Sequence, residues 1–212
     1  MISPLHLAGF AACSQVNGPG RRCVVWVQGC TLGCGGCFNP MTHAPRSAGE
    51  TGTPAGVLAA RILAARKPQT AGLTLSGGEP FQQAESLAEV CRLVRAAWPE
   101  CSVFAFSGYR LAELRAPDAP AGAALLLSQL DLLVDGRFVA TECTPDAATG
   151  PNRRPWRASA NPRRWILGRR PAGLEAAETP DSVEIQVADD GSVLLSGFPD
   201  PALRRAIREL AR

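Results

Sequence analysis

Three cysteines, Cys30, Cys34 and Cys37, stand at the spacing C-x3-C-x2-C in the segment Gly29-Cys30-Thr31-Leu32-Gly33-Cys34-Gly35-Gly36-Cys37-Phe38-Asn39-Pro40. Thiolates so close in sequence can converge on one metal centre only if the backbone between them turns tightly, and Gly33, Gly35 and Gly36 allow that turn. The same glycines let cluster sulfides approach backbone N–H groups, which stabilise negative charge. A lone cysteine commonly packs as a small hydrophobe, but this loop carries almost no apolar side chains for three of them to pack against. Zinc is the stronger competitor. A structural zinc normally takes four ligands, often from paired C-x2-C knuckles; here there is no second knuckle, Cys23 falls inside a predicted strand, and His43 is the only nearby imidazole. A [4Fe–4S] cluster with three protein ligands leaves one iron open, as a catalytic site should, and the spacing favours it.

A second motif is Ser76-Gly77-Gly78-Glu79-Pro80. Alone it is only a turn. Its glycines let the backbone come close to a neighbour, and Glu79 adds a carboxylate. Its position at the end of a predicted strand, one β/α unit after the cysteine loop, gives it weight.

The elements that must position these motifs alternate. Arg22-Cys23-Val24-Val25-Trp26-Val27-Gln28 reads as a strand, entered from the turn Asn17-Gly18-Pro19-Gly20. Thr53-Pro54 looks like an N-cap and first helical residue, opening a helix over 55–66. Leu73-Thr74-Leu75-Ser76 predicts a strand, 82–98 a helix with Leu87, Val90, Cys91 and Val94 at helical spacing, 102–106 a strand, and 109–115 a short helix. Residues 132–136 and 164–167 read as further strands. Alternation of this kind implies α/β architecture with a parallel sheet and right-handed crossovers. A full eight-unit barrel takes about 250 residues, so the expectation is an incomplete (β/α) barrel of about five to six units over 1–167. Residues 168–212 are expected to form a C-terminal extension, a β-hairpin over 183–187 and 192–195 turning at Asp189-Asp190-Gly191, then a helix over 201–210.

Composition narrows the class. The chain has 212 residues, 46% hydrophobic and 19% charged, an ordinary globular balance with a net charge of +3. That charge is too mild to imply nucleic-acid binding. Lys67 is the only lysine against 21 arginines, which looks like compositional bias rather than a binding device. The N-terminus lacks a signal peptide's charged region and apolar run, and the most apolar window, 121–134, is too short and too interrupted by Ser128, Gln129 and Asp131 to span a bilayer. A cytoplasmic location with no membrane contact is expected. There, eight cysteines point to metal ligation, catalysis or packing rather than disulfides.

The two motifs together resemble the radical S-adenosylmethionine (SAM) superfamily. Asn17-Gly18-Pro19-Gly20-Arg21-Arg22, Gln28-Gly29-Cys30, Cys34-Gly35-Gly36-Cys37-Phe38-Asn39-Pro40, Phe106-Ser107-Gly108-Tyr109-Arg110, the run 131–139 and Trp156-Arg157-Ala158-Ser159-Ala160-Asn161 narrow the resemblance to the activating enzymes of anaerobic (class III) ribonucleotide reductase. Gly36, where most of the superfamily has an aromatic residue, belongs to that branch. Ala158, Ala160 and Pro162 depart from its late motif, and the tail from Gly168 is extra relative to its compact members.

The resemblance implies a [4Fe–4S] cluster on Cys30, Cys34 and Cys37, with SAM held at Gly77, Gly78, Glu79 and Pro80. It places Asp135 at the SAM ribose and Arg137 near its carboxylate, with Ser107 in the same site and Asn161 against SAM or a loop of the partner. It implies reductive cleavage of SAM and a glycyl radical made on a partner enzyme, the anaerobic ribonucleoside-triphosphate reductase, with flavodoxin or ferredoxin as electron donor. Two alternatives stay open: a radical SAM enzyme acting on a peptide or small molecule, and a non-catalytic zinc or cluster module binding nucleic acid.

The remaining features are blander. Arg153, Arg154, Arg157, Arg163, Arg164, Arg169 and Arg170 crowd one stretch and read as a solvated face, with an acidic protein partner as the sharper option. Cys13, Cys23, Cys91, Cys101 and Cys143 read as packing. His43 reads as structural, and His6 carries no signal.

Overall fold

The computed structural model describes residues 2–37, 39–45, 51–142, 159, 161–168, 183–187, 193–197 and 209. Six strands form one mixed sheet in chain order: β1 (Leu7–Ser14), β2 (Arg21–Val27), β3 (Thr70–Gly77), β4 (Ser102–Ser107), β5 (Leu132–Asp135) and β6 (Arg163–Ile166). Strands β2 to β5 are parallel, as the β/α alternation predicts. The two edges are not: β1 runs antiparallel to β2, and β6 antiparallel to β5. The expected five or six parallel units are therefore four parallel strands with an antiparallel strand on each side. For β1 the reason is connection length. Only the turn 15–20 separates it from β2, whereas parallel neighbours need a crossover of a dozen or more residues.

Helices α1 (Ala55–Ala65) and α2 (Ala84–Ala97) connect the central strands, and α3 (Leu111–Leu114) and α4 (Ala123–Gln129) follow β4. Because side chains alternate across a strand, one set of residues from the parallel strands (Val25, Val27, Leu73, Leu75, Val103, Ala105, Leu133) packs with Leu58, Ile62, Leu87, Val90, Val94 and Leu126 of the helices. Cys23, Cys91 and Cys101 are fully buried in that same core. The alternate set, including Trp26, Phe106 and Val134, faces away from the helices and lines a cavity. Among the described residues no helix covers that face, and its cavity is where a ligand can sit.

Two local expectations give way. Thr53 is no N-cap: its N–H and C=O pair with Leu5 at 2.7 and 2.8 Å, and Pro54 takes the cap position with no side-chain hydrogen bond. Helix α2 starts two residues later than predicted, after a 3-10 turn over Pro80–Gln83.

The expected hairpin is present as β7 (Val183–Val187) and β8 (Val193–Gly197), an antiparallel pair. It is bonded to the first hairpin of the main sheet. Glu184 Oε1 accepts from the Gln15 N–H at 2.8 Å, Gln186 Nε2 donates to the Cys13 carbonyl at 3.0 Å, and Asn17 Nδ2 donates to Ser196 Oγ. The predicted turn 189–191 and all of the predicted helix 201–210 except Glu209 lie outside the described residues, as do Cys143 and five of the seven crowded arginines. The other two, Arg163 and Arg164, are exposed on β6. Among the described residues, no helix is long and apolar enough to cross a membrane.

Candidate iron–sulfur and SAM site

The site assembles at the carboxyl ends of β2, β3 and β4. Strand β2 ends at Val27, and the chain passes through Gln28 and Gly29 into the cysteine loop, where Gly33 and Gly36 adopt φ of +62° and +69°. The Cys37 N–H donates to the Cys34 carbonyl at 3.2 Å, closing the second half of the loop, and the Cys30 N–H donates to the His43 carbonyl at 3.1 Å. Gln82 anchors the loop from the far side: its Oε1 accepts from the Thr31 N–H at 3.1 Å, and its Nε2 donates to Thr31 Oγ1 at 2.7 Å and Tyr109 Oη at 3.2 Å.

The Gly-Gly-Glu turn is laced to the start of the same loop. Gly78 N–H donates to the Val27 carbonyl at 2.8 Å, and Glu79 N–H to the Gly29 carbonyl at 2.9 Å. Gly77 sits at φ +101°, and a Cβ on Gly78 would collide with the Gly29 carbonyl oxygen. Both glycines are needed for the two segments to touch.

Glu79 is almost wholly buried and saturated by protein donors. Its Oε1 accepts from the Phe81 N–H and Ser107 Oγ, both at 2.9 Å, and its Oε2 from the Gly108 N–H at 2.7 Å. The carboxylate therefore ties the end of β3 to the end of β4. Burial pushes its pKa up to about 7, against the pull of those three donors and the more distant Arg137 charge. Burial also raises the Cys30 thiol, opposed by the Leu32 N–H and reinforced by the charges of Glu79, Cys34 and Cys37. Metal ligation must then displace a firmly held proton.

One cavity of about 650 Å³ collects Cys30, Cys34, Cys37, Gly77, Gly78, Glu79 and Ser107 on its wall. Among the described residues, no three His, Cys, Asp or Glu side chains cluster tightly enough to hold a single metal ion. A zinc ion would need every thiolate about 2.3 Å from one centre. A cubane offers a separate iron to each cysteine, so three partly exposed thiols around a shared space fit it.

The other predicted site residues stand behind that wall. Pro80 is buried in the 3-10 turn. Asp135 Oδ2 accepts from the Leu111 N–H at the start of α3 and its Oδ1 from the Arg163 N–H of β6 at 3.3 Å. Arg137 Nη1 pairs with Glu113 at 2.9 Å, and its guanidinium lies 5.8 Å from the Tyr109 ring centroid. Asn161 Nδ2 donates to the Arg137 carbonyl at 2.6 Å, and its Oδ1 accepts from Ser159 Oγ at 2.7 Å. Their neighbours Gly136, Ser159 and Pro162 reach the cavity instead. The sequence reading missed Gln82 as the loop's anchor, since nothing in its spacing marks it. His43, read as structural, holds Cys30 through its backbone carbonyl and also lies on the cavity wall.

Cys30, Cys34 and Cys37 and a Gly-Gly-Glu turn, brought to one cavity at the carboxyl ends of the parallel strands of an α/β sheet, define a single-cluster iron–sulfur protein of the radical SAM type. Comparison with known proteins agrees: the "4Fe-4S single cluster domain" family matches residues 16–163. The chain is 37% identical over 152 residues to the anaerobic ribonucleoside-triphosphate reductase-activating protein of Vibrio cholerae, covering 69% of this chain and 88% of that one. The proteins of the same name from Enterobacteria phage T4 and Escherichia coli K12 are 31% and 32% identical, each covered over 88% of its length, with 72% and 69% of this chain aligned. This chain belongs to the family of anaerobic ribonucleoside-triphosphate reductase-activating proteins. The crystal structure of QueE from Escherichia coli aligns over 61% of this chain and 68% of its own, at 13% identity and a TM-score of 0.36, too distant to add to the argument.

Proposed function

We propose that the chain is a radical SAM activase that makes a glycyl radical on an anaerobic ribonucleoside-triphosphate reductase. The observation that carries this reading is the shared cavity, which brings the three cysteines and the Gly-Gly-Glu turn together on the face of the sheet opposite α1 and α2. When bound, the cluster supplies one low-potential electron that splits SAM into methionine and a 5′-deoxyadenosyl radical able to take hydrogen from a glycine Cα.

The chain's own part is binding, orientation and exclusion of water. Cys30, Cys34 and Cys37 hold the cluster as thiolates. Gly77 and Gly78 bring backbone to the SAM amine, and Glu79, fixed by Ser107, Gly108 and Phe81, keeps that turn at a constant distance from the cysteine loop. Pro80 fixes the turn's exit. Asp135, Arg137 and Asn161 act as positioning residues for the segment around Gly136, which borders the cavity. The sheet serves as a partial barrel whose uncovered side admits a protein loop, a flavodoxin or ferredoxin donates the electron, and the reaction runs in the cytoplasm.

The test is anaerobic reconstitution followed by reduction in the presence of SAM. Iron and sulfide near four each, 5′-deoxyadenosine formation, and a glycyl doublet in the electron paramagnetic resonance spectrum of added reductase are expected. One tightly held zinc and no iron would sink the reading.

A further inference from the structure

Ser196 and Gly197, at the end of β8, lie on the wall of the cavity that holds Cys30, Cys34 and Cys37. They come after residue 163, where the family match stops. The cysteines follow β2, whereas Val16 and Asn17, also on the wall, precede it. The cavity therefore runs along the length of β2, roughly 20 Å at strand rise, and the β7–β8 hairpin meets it at the end away from the cysteines. The hairpin is held there by the bonds of Glu184, Gln186 and Ser196 to Gln15, Cys13 and Asn17. Asn17 Nδ2 also donates to Ser14 Oγ at 2.8 Å, so its amide is fixed, and Ser196 is buried.

Among the described residues the wall at this inner end is neutral; the nearest cation, Arg22, is spent on Thr74, Ser102 and backbone carbonyls. No Arg or Lys is among the described residues that line the cavity, and the one carboxylate, Glu79, is already saturated. Among the described wall residues a phosphate or carboxylate ligand would find no cation. An amide, a hydroxyl and glycine backbone instead match the donors and acceptors of a peptide main chain.

We propose that the β7–β8 hairpin is the inner wall of the substrate cavity and that Ser196 is a specificity-determining residue for the peptide segment that carries the reacting glycine. This rests on the activase reading above, and it makes strands β7 and β8 part of the working site rather than an appendage.

The test uses the full reconstituted chain and a fluorescein-labelled synthetic peptide spanning the glycine loop of the same organism's class III reductase, read by anisotropy, with SAM affinity measured in parallel. Ser196→Phe should raise the ratio of peptide Kd to SAM Kd about tenfold. Glu184→Gln with Gln186→Ala, whose side chains lie outside the cavity, should loosen the hairpin and raise the ratio about threefold. Val187→Thr, exposed on the same hairpin, should leave it unchanged. Should Ser196→Phe melt early, the double variant decides. If the parent chain makes the glycyl radical and both variants bind peptide as it does, the wall assignment is overturned and the activase reading stands. If the parent chain neither binds the peptide nor makes the radical, both fall.

Discussion

Arg22 and Glu79 are buried charges at opposite ends of adjacent strands, and the sheet treats them differently. Arg22, at the start of β2, spends all its donors on neutral acceptors: Thr74 Oγ1 at 2.7 Å, Ser102 Oγ at 2.9 Å, and the carbonyls of Pro19, Leu73 and Ser102 at 3.2, 2.7 and 2.8 Å. Burial lowers its pKa only to about 10, so it stays charged at every physiological pH. Glu79, just past β3, is equally enclosed, yet its pKa of about 7 puts it on the edge of protonation. Around Arg22 the sheet closes on itself; around Glu79 it opens onto a cavity. A buried charge with every bond satisfied far from neutrality builds the frame, and one poised near neutrality beside a cavity belongs to the site.

The largest expected effect tests that division from the site end. Replacing Cys30, Cys34 or Cys37 by Ala should drop reconstituted iron from about four per chain to below about one and abolish SAM cleavage. Cys91→Ala, in the helix-covered core, should keep both. Iron retained in all three site variants would erase the distinction.

At the frame end, Arg22→Met should cost about 3–5 kcal/mol in urea unfolding, because five acceptor interactions lose their donor inside the protein. Unfolding at the parent's midpoint would show that water or a rearranged neighbour replaces the guanidinium.

The next effect is one of pH. Glu79 binds its proton more tightly folded than unfolded, since its folded pKa of about 7 exceeds the ordinary 4.5. Between these values the native state holds the extra proton, so stability falls as pH rises, by at most about 1.4 kcal/mol per pH unit, and levels off above pH 7. Glu79→Gln should flatten that slope between pH 5 and 7. A parent chain that gains stability across the window would contradict the assignment.

The smallest effect concerns Arg137. Its pair with Glu113 is half exposed, so Arg137→Ala should change stability by less than about 1 kcal/mol. If the same variant weakens SAM binding about tenfold, Arg137 reaches the ligand after all and belongs with Glu79 rather than with the frame.

Much of this was legible in the sequence where local chemistry dictates structure. The cysteine spacing, the Gly-Gly-Glu turn and the β-branched strands each carry their own signal, and the comparisons bear out the family and its cofactors. Strand β1 was not legible: Leu7–Ser14 is rich in Ala and Gly, poor strand formers, and takes its conformation from pairing with β2. Helix α4 was hidden for a related reason, since a seven-residue apolar segment cannot be told from a buried strand by pattern. Asp135 and Arg137 stand at and just past the end of β5 and Asn161 just before β6, but sequence cannot say whether a polar residue there faces a ligand or caps the next element.

Asn17 and Ser196 are 179 residues apart in the chain, yet they share a hydrogen bond. That separation has a consequence for assembly. A contact of such range is entropically slow to form, and synthesis delivers the chain from its N-terminus. The Gly-Gly-Glu turn leaves the ribosome 117 residues before Ser196, counted from Glu79, and the cysteine loop earlier still. For that interval the nascent protein has the means to bind a cluster while the far end of its cavity still lacks a wall.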